Sequence, residues 1–274
     1  MTEDVLQDLA TFDFPLKDIW ISAARFHHQN LAQDIRGLPD GARVLEIGCG
    51  AAILMTMLSK ENPNIQLEGI EPLADGFDKI ATPLEHFQKR GADVIRTTYE
   101  DFEPSERYDL VYLVNVLEHL RDWRHFLATL PRFLKPGGRC LVLCPNYDFP
   151  FEPHFNLPVI ASKSTLARIF RRRIAYVENT YGVHGLWDSL NFVRLSEIKR
   201  HLLETPFQLN VRHEVSDRMI ERFSYDRVYK HYFPLIGAFG AILRVAGVTR
   251  LLRHRRLENL QPYMFLELTH SHSL

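Results

Sequence analysis

The segment Val44-Leu45-Glu46-Ile47-Gly48-Cys49-Gly50 constrains the fold of this 274-residue chain more than any other part of the sequence. Residues 43–47 have the apolar pattern of a short buried strand, and the apolar run over 51–60 predicts a helix directly after the two glycines. Glycines at such a turn let the backbone pass close to a ligand, and the first turn of the helix offers N–H groups without intrahelical partners. The pattern indicates a ligand-binding turn or, alternatively, an ordinary connection between a strand and a helix.

Strands and helices alternate along the first half of the chain. The predicted strands are 43–47, 65–70, 93–97, 108–114 and 139–144, and the predicted helices are 16–36, 51–60, 74–90 and 122–134. Such alternation is typical of an α/β fold in which helices cover both faces of a doubly wound, mostly parallel sheet. After Pro145 the pattern changes, and it predicts a helix over 195–203 with Ser196 as its N-cap, a strand over 208–215, mainly helical structure over 218–260 and a closing strand over 263–269.

These changes of pattern divide the chain into six segments. We predict an N-terminal helical segment over 1–39, a ligand-binding core over 40–146, an insertion over 147–190, a continuation of the core over 191–217, a basic and apolar helical insertion over 218–261, and a closing strand and tail over 262–274. A closing strand so far along the chain from its predecessor indicates a helical insertion between two neighbours of one sheet.

The composition is that of an ordinary folded domain. Apolar residues make up 46% of the chain and charged residues 24%, which excludes a disordered tail or a small disulfide-stapled protein. Three cysteines, an odd number, indicate a reducing compartment, and the acidic N-terminus lacks the pattern of a signal peptide. The longest apolar run, over 232–243, is shorter than a membrane-spanning helix requires. We therefore expect a cytoplasmic protein.

An acidic residue at the end of the second predicted strand narrows the choice of ligand. Glu71 follows Gly48 by 23 residues, and a carboxylate at this place can accept hydrogen bonds from the two hydroxyls of a ribose. A nicotinamide-binding turn would also carry a third glycine, where this chain has Ile53. The glycine turn together with Glu71 favours a ribose-containing ligand and disfavours a nicotinamide-dependent oxidoreductase.

Four motifs, in order along the chain, resemble those of the class I S-adenosylmethionine-dependent methyltransferases, in the form found in ubiquinone-biosynthesis-type and other small-molecule enzymes. They are Glu46–Gly50, similar to the first motif of that family, Glu71, similar to its ribose-binding acid, Tyr108–Leu120, similar to its fourth-strand motif, and Phe133–Gly138, similar to the turn before its fifth strand. The resemblance implies S-adenosyl-L-methionine as the cofactor. It also implies a Rossmann-like sheet of seven strands whose last strand is antiparallel, with helical insertions.

The resemblance implies roles for individual residues around the cofactor. The residues predicted to bind it are Glu46, Gly48, Cys49, Gly50, Glu71, Pro72, Thr98, Tyr99, Glu100 and Asn115. Glu46 and the two glycines would border the methionine part, Glu71 the ribose and residues 98–100 the adenine. Asn115 would lie near the reacting methyl group. Family members often carry an acid where this chain has Thr98, so the adenine contact departs from the family pattern.

Methyl transfer to a hydroxyl would require a base to accept the proton of that hydroxyl. Three histidines are candidates: His119 in the fourth-strand motif, His154 after Glu152-Pro153, and His184 between two glycines. With 13 histidines in the chain, a structural or solvated role is the alternative interpretation for each of the three.

The fourth-strand motif also raises the question of a metal ion. Some ubiquinone-type O-methyltransferases hold a divalent ion there with two acids and a histidine. Glu118 and His119 match that pattern, but Asn115 stands at the position of the first acid. Because one oxygen ligand is missing, we expect no metal. The alternative is that Glu118 and His119 are features of a helix start.

The back half of the chain is basic. Residues 1–150 carry 15 Lys and Arg against 23 Asp and Glu, whereas residues 151–274 carry 18 against 11. Basic residues cluster in 163–173 and in 218–258, where they flank the apolar run 232–243. Apolar helices edged with arginine are typical of the membrane interface. The pattern of 218–258 therefore predicts a lid or a peripheral membrane contact. The alternative interpretation is a helical pair that packs on the domain or in a homodimer interface.

These observations lead to one expected function and three alternatives. We expect S-adenosylmethionine-dependent methyl transfer to an oxygen of a small or lipid-linked metabolite. The alternatives are an N-methyltransferase acting on a small molecule, a non-catalytic binding protein with a methyltransferase-like fold, and a nicotinamide-dependent oxidoreductase. Nucleic acid is disfavoured as a partner because the front half is acidic and aromatic and basic residues do not interleave.

Overall fold

A seven-stranded mixed sheet forms the centre of the protein. The computed structural model describes residues 2–74, 76–232, 254 and 257–270. The strands of the sheet are β1 (Arg43–Ile47), β2 (Gln66–Ile70), β3 (Asp93–Ile95), β4 (Tyr108–Val114), β5 (Leu134–Pro145), β8 (Phe207–Val211) and β9 (Tyr263–His270), and the two short strands β6 (Phe151–Glu152) and β7 (Leu157–Pro158) lie outside it. Their order in the sheet is β3-β2-β1-β4-β5-β9-β8. Strands β1 to β5 pair in parallel, and β9 is antiparallel to both β5 and β8. The predicted sheet, with its antiparallel last strand, is confirmed.

Helices cover both faces of this sheet. They are α1 (Thr2–Ala10), α2 (Lys17–Arg36), α3 (Ile53–Glu61), α4 (Ala81–Lys89), α5 (Trp123–Thr129), α6 (Lys163–Ile169), α7 (Arg171–Tyr181), α8 (Leu186–Ser189), α9 (Leu195–Leu202), α10 (Glu214–Tyr225) and α11 (Arg227–Tyr232). Within β4 the buried residues alternate between faces: Leu110 and Tyr112 join the apolar cluster that contains α1 to α3, and Val111 and Leu113 join the cluster that contains α5 and α9. A central strand buried on both faces explains the nearly continuous apolar run of this segment.

The segment 147–190 has an apolar cluster of its own. Strands β6 and β7 form a separate two-stranded sheet, and helices α6 to α8 follow them. Phe155, Leu166, Ile174 and Trp187 are buried together in this cluster. Strands of two residues are too short to produce the apolar alternation that sequence analysis looks for, and none was predicted here.

Several predicted element boundaries are wrong. The helix predicted over 74–90 begins as a 3₁₀ turn at Asp78 and becomes α-helical at Ala81. The helix predicted over 122–134 ends at Thr129, because Pro131 then introduces a 3₁₀ turn. Helix α1 lies in the N-terminal helical segment predicted over 1–39, but its bounds were not predicted. The strand predicted over 208–215 ends at Val211, and α10 begins at Glu214.

Ser196 is not the N-cap of its helix. Helix α9 begins at Leu195, with Arg194 in the N-cap position, so Ser196 lies inside the first turn. Its hydroxyl donates to Asp148 Oδ1 at 2.7 Å, and its backbone N–H donates to Asp148 Oδ2 at 2.7 Å. The side chain of a distant aspartate therefore caps this helix, which a local sequence pattern cannot reveal.

Only part of the predicted basic and apolar insertion is described. Helices α10 and α11 confirm helical structure up to Tyr232. Residues 233–253 and 255–256, including most of the apolar run, lie outside the described residues. The lid, membrane and dimer interpretations of 218–258 stay predictions. Among the described helices, none is long and apolar enough to cross a membrane.

Candidate functional site

The turn after β1 has a backbone that only glycine accommodates easily. Gly48 and Gly50 have φ angles of 70° and 56°, in the left-handed region. A Cβ atom at Gly48 would lie 2.4 Å from Cγ2 of Val116, and one at Gly50 would lie 2.9 Å from Cζ3 of Trp20. The N–H of Gly48 donates to the carbonyl of Ile70 at 2.8 Å, which ties the turn to the end of β2. Conformation and space thus both require glycine here.

Glu71 links the end of β2 to this turn. Its Oε2 accepts a hydrogen bond from the N–H of Gly50 at 2.8 Å, and its Oε1 accepts one from the N–H of Leu73 at 2.7 Å. The side chain is buried, and burial raises the pKa of its carboxyl although both backbone hydrogen bonds act in the opposite direction. The carboxylate is therefore held in one orientation beside the glycine turn, as a ribose-binding acid would require.

Glu46 is a second buried acid at the same place. It is 3% exposed, and the hydroxyl of Tyr112 on the neighbouring strand β4 donates to its Oε2 at 2.9 Å. Burial raises the pKa of Glu46 to about 8, and the negative charge of Glu71 adds to the effect. The free protein therefore holds Glu46 largely protonated at neutral pH.

We expect the Glu46→Gln variant to change how stability depends on pH. The folded-state pKa of Glu46 lies above the ordinary value of 4.5, so the folded state binds its proton more tightly than the unfolded state. This contribution to the free energy of unfolding is lost as the pH rises from about 4.5 to about 8, at a slope of about 1.4 kcal/mol per pH unit. The free energy of unfolding, measured in urea between about pH 5 and about pH 9, should therefore rise in the variant relative to wild type across this window. An unchanged pH profile would contradict the assignment, and exposed Glu103→Gln is the matched control.

A cavity of about 530 Å³ opens above the turn, at the carboxyl ends of the parallel strands. All ten residues predicted to bind the cofactor line it: Glu46, Gly48, Cys49, Gly50, Glu71, Pro72, Thr98, Tyr99, Glu100 and Asn115. One wall is the face of α2 that carries Ile19, Trp20 and Ala23, and another comes from the 147–190 segment through Val183 and Leu186. The structure brings the predicted residues to one place, while their contact with a cofactor stays a prediction.

Asn115 is held by two residues that the sequence did not point to. The hydroxyl of Tyr263 on β9 donates to Asn115 Oδ1 at 2.6 Å, and Asn115 Nδ2 lies 3.4 Å from His27 Nε2 on α2. Asn115 itself has a φ of 53°. Burial lowers the pKa of His27 to about 3, and Arg222 acts in the same direction, so the imidazole is neutral. The amide of Asn115 is therefore fixed at the cavity wall by contacts from both ends of the chain.

The structure separates the three histidines predicted as candidate bases. His119 and His154 line the cavity, and their rings lie 5.2 Å apart. His184 is not among the described residues that line the cavity. His119 Nδ1 lies 2.8 Å from the hydroxyl of Ser189, and burial lowers the pKa of His119 well below its usual range.

His154 has a carboxylate partner that the sequence analysis did not identify. Its Nδ1 lies 2.6 Å from Oε1 of Glu152, which is fully buried on β6. The backbone N–H groups of His154 and Phe155 also donate to this carboxylate, at 2.9 and 2.6 Å. Burial by itself would lower the pKa of His154, but Glu152 outweighs it and the pKa is raised. Glu152 therefore fixes the orientation of the ring and stabilises its charged form.

Glu118 lies beside these two histidines, with its Oε1 4.0 Å from Nε2 of His119. It is fully buried, and neither carboxylate oxygen has a hydrogen-bond partner among the described residues. Ligand atoms of Glu118, His119 and His154 all lie within 4.8 Å of one another. Such a group of nitrogen and oxygen donors could hold a divalent ion of the zinc type. The amide of Asn115 is engaged by Tyr263 and His27, and the expectation of no metal stays a prediction.

Comparison with known proteins places the fold and the motifs in one family. A family model described as a methyltransferase domain matches residues 22–232. The uncharacterized protein Rv1509 of Mycobacterium tuberculosis is 34% identical over 180 residues, which are 65% of this chain and 61% of that protein. A ubiquinone biosynthesis O-methyltransferase of Bradyrhizobium is 31% identical over 166 residues, which are 60% of this chain and 57% of that protein. The chain thus spans about three fifths of the length of these curated relatives.

A solved structure supports the fold. The phosphoethanolamine N-methyltransferase 2 of Haemonchus contortus, in complex with phosphomonomethylethanolamine and S-adenosylhomocysteine, aligns with a TM-score of 0.51 and 16% sequence identity. The alignment covers 89% of this chain and 51% of that one. With the family model matching residues 22–232 and a seven-stranded sheet whose last strand is antiparallel, as predicted, the chain belongs to the methyltransferase-domain family, within the class I S-adenosylmethionine-dependent methyltransferases.

Proposed function

We propose that this protein transfers the methyl group of S-adenosylmethionine to an oxygen of an apolar or amphiphilic small molecule, a lipid-linked metabolite included. The observation that carries this proposal is the single cavity in which the glycine turn and Glu71 face the histidine that Glu152 orients. The relative from Bradyrhizobium, whose name describes an O-methyltransferase, agrees with transfer to oxygen.

The residues around the turn suit the parts of the cofactor. Backbone N–H groups after β1 and the small residues Gly48 and Gly50 leave room for the methionine part close to the main chain. The two oxygens of Glu71 retain lone pairs toward the ribose hydroxyls, since each accepts one backbone N–H. Thr98, Tyr99 and Glu100 follow β3 and line the end of the cavity where the adenine would lie.

For this reaction the protein must align the acceptor with the methyl group and remove a proton from the acceptor hydroxyl. A lone pair of the acceptor oxygen attacks the methyl carbon in line with the carbon–sulfur bond, whose electrons pass to sulfur and leave S-adenosylhomocysteine. The proton of the acceptor hydroxyl goes to Nε2 of His154, because Nδ1 is engaged by Glu152. The buried carboxylate stabilises the imidazolium that forms, and the apolar walls exclude water from the sulfonium.

The acceptor side of the cavity favours an apolar body on the substrate. Phe77, Val183 and Leu186 line it, together with Ile19 and Ala23 of α2. Such walls bind a hydrocarbon chain or ring well and leave few partners for polar groups. An acceptor with one reactive hydroxyl and an apolar remainder therefore fits, whereas a nucleic acid does not.

We expect Gly48→Ala to weaken cofactor binding by at least about tenfold. The added methyl group meets Val116 and requires a φ of 70°, so the turn must shift away from the ligand. Gly41→Ala is the matched control, because Gly41 has a φ of 78° with open space around it. Calorimetric titration with S-adenosylhomocysteine measures both variants. Equal affinity in Gly48→Ala and wild type would place the cofactor elsewhere.

The reaction is expected to run without a metal ion. His154 and Glu152 supply the proton acceptor, and Asn115 replaces an oxygen ligand in the fourth-strand motif. Treatment with EDTA, followed by titration of Mg²⁺ and Zn²⁺, should leave the rate of S-adenosylhomocysteine release unchanged. A rate that EDTA abolishes and Zn²⁺ restores would instead assign Glu118, His119 and His154 to an ion.

A further inference from the structure

The outer surface of the 147–190 segment exposes large apolar side chains. Ile160 is 75% exposed, Ile169 at the end of α6 is 61% exposed, and Tyr176 on α7 is 56% exposed. These residues lie within 17 positions of one another, on the segment that also forms a wall of the cavity. Exposed side chains of this kind, close together in the chain, are typical of a surface that contacts another phase or partner.

Arginines accompany these apolar residues. Arg168, Arg171 and Arg172 are exposed, and none of them forms an ion pair with another residue in the part of the chain that the structure describes. No acidic residue occurs between Ala161 and Val177. By contrast, Lys163 is turned inward and donates to the carbonyls of Asp188 and Leu190, at 2.7 and 2.6 Å. The three arginines therefore present uncompensated positive charge to the outside.

Helical spacing puts Arg172 and the ring of Tyr176 on one side of α7. Phe170 alone separates α6 from α7. Leu166, Ile174 and Val177 are buried in the apolar cluster of the segment, which defines the inner face. Arg172 and Tyr176 lie four residues apart on α7 and are both exposed on the face opposite Ile174, whereas Arg168 is exposed on α6, before the break at Phe170. The guanidinium of Arg173 lies 5.6 Å from the centroid of the Tyr176 ring.

We propose that the exposed face formed by Ile160, Arg168, Ile169, Arg171, Arg172 and Tyr176 binds the surface of an anionic lipid bilayer. Arginines without acidic partners match the charge of anionic headgroups, and the isoleucines and the tyrosine can enter the boundary between headgroups and acyl chains. This assigns membrane contact to a different part of the chain from 218–258, on residues that the structure describes.

The position of this face next to the cavity gives the membrane contact a role in supplying the acceptor. The same segment contributes His154, Val183 and Leu186 to the cavity, so a bilayer on its outer face lies next to the acceptor side. An acceptor with a hydrocarbon tail could then pass from the membrane to the cavity. This consequence rests on the proposed function, whereas binding of the bilayer does not.

Flotation of the full chain with two kinds of vesicle tests the proposal. Wild type should float with vesicles of phosphatidylcholine that contain about 30 mol% phosphatidylglycerol, and should stay at the bottom with phosphatidylcholine alone. The Arg168→Gln/Arg171→Gln/Arg172→Gln variant should lose at least about tenfold in bound fraction. The matched control is Arg36→Gln/Lys60→Gln/Lys89→Gln, which removes the same charge from exposed positions on other helices. It should float like wild type.

A second measurement reports on the apolar part of the face. Tryptophan introduced by Ile169→Trp should be quenched by brominated lipid in the anionic vesicles, while tryptophan at exposed Leu203→Trp should not. Flotation of the arginine variant equal to the control, or absence of quenching at position 169, would overturn the proposal. The proposal would also be overturned if the wild-type protein does not bind the vesicles and instead uses the three arginines to form dimers or to bind RNA. The arginine variant should bind S-adenosylhomocysteine with unchanged affinity. A loss of flotation in this variant then counts only for the membrane proposal and not against the proposed function.

Discussion

The Glu71→Ala variant is expected to bind S-adenosylmethionine and S-adenosylhomocysteine at least about 100-fold more weakly than wild type. The variant would lose the two charge-assisted hydrogen bonds that we propose between Glu71 and the ribose, each contributing about 1.5–3 kcal/mol. It also leaves the N–H groups of Gly50 and Leu73 without their acceptor, so the glycine turn loses one of its ties to the end of β2. Glu71→Gln should be almost as damaging, because its NH₂ group would face one of those two N–H groups.

Calorimetric titration measures this effect, with Glu103→Ala as the control. Glu103 is a solvent-exposed acid paired with Arg132, and its removal should leave the affinity unchanged. Thermal melting of each variant without ligand shows whether the fold persists. Wild-type affinity in a folded Glu71→Ala protein would remove this acid from the cofactor site.

His154→Gln should lower kcat for a hydroxyl acceptor by about 10²–10⁴-fold, because the proton acceptor is lost. Glu152→Gln should lower it by about tenfold or more, because the imidazolium loses the buried charge that stabilises it. Both variants should bind S-adenosylhomocysteine with unchanged affinity, since neither residue belongs to the glycine turn or the ribose site. The acceptor for these measurements is the compound that gives the fastest release of S-adenosylhomocysteine in a screen of alkyl phenols, catechols and amines.

His184→Gln is the matched control for the base. Its position outside the cavity lining predicts wild-type kcat and KM. An amine acceptor gives a further distinction, because a neutral amine can attack the sulfonium before it loses its proton. Equal kcat in His154→Gln and wild type on the best hydroxyl acceptor would exclude His154 as the base. If amines alone are methylated, the protein is an N-methyltransferase.

The placement of the candidate cofactor-binding residues in one cavity could be predicted from the sequence because these residues follow strand ends. In a parallel sheet the carboxyl ends of neighbouring strands meet at one edge, so Gly48 after β1, Glu71 after β2 and Asn115 after β4 had to come together. The glycines also carry their own signal, since a positive φ at Gly48 and Gly50 restricts the residue type. The family resemblance, which the comparisons confirm, depended on the same positions.

The acceptor side could not be predicted in this way. Glu152 orients His154 through a two-stranded sheet that is too short to leave a pattern, and its partner role depends on burial that only packing decides. Tyr263 reaches Asn115 from a strand 148 positions further along the chain, and His27 reaches it from α2. The one signal in the sequence was that Glu152 and His154 are only two residues apart. Many pairs of residues on protein surfaces have the same spacing, so the spacing alone does not predict the contact.

The predictions of where helices start and end were wrong for the same reason. Ser196 had the residue type of an N-cap, but Asp148 supplies the cap from 48 positions away. The start of α4 is delayed to Ala81, and Pro72, Ala74, Gly76 and Phe77 line the cavity before it. Tertiary contacts, which a local pattern does not contain, decide such boundaries.

Calorimetric titration of wild-type protein with S-adenosylmethionine, S-adenosylhomocysteine and NADH tests the central claim most directly. The claim is that the cavity above the glycine turn binds the sulfur-containing nucleosides as a methyltransferase does. We expect binding of both sulfur compounds with a Kd in the range of about 1–100 μM and no heat with NADH. Binding of NADH without either sulfur compound, or no binding of any of the three, would contradict the account.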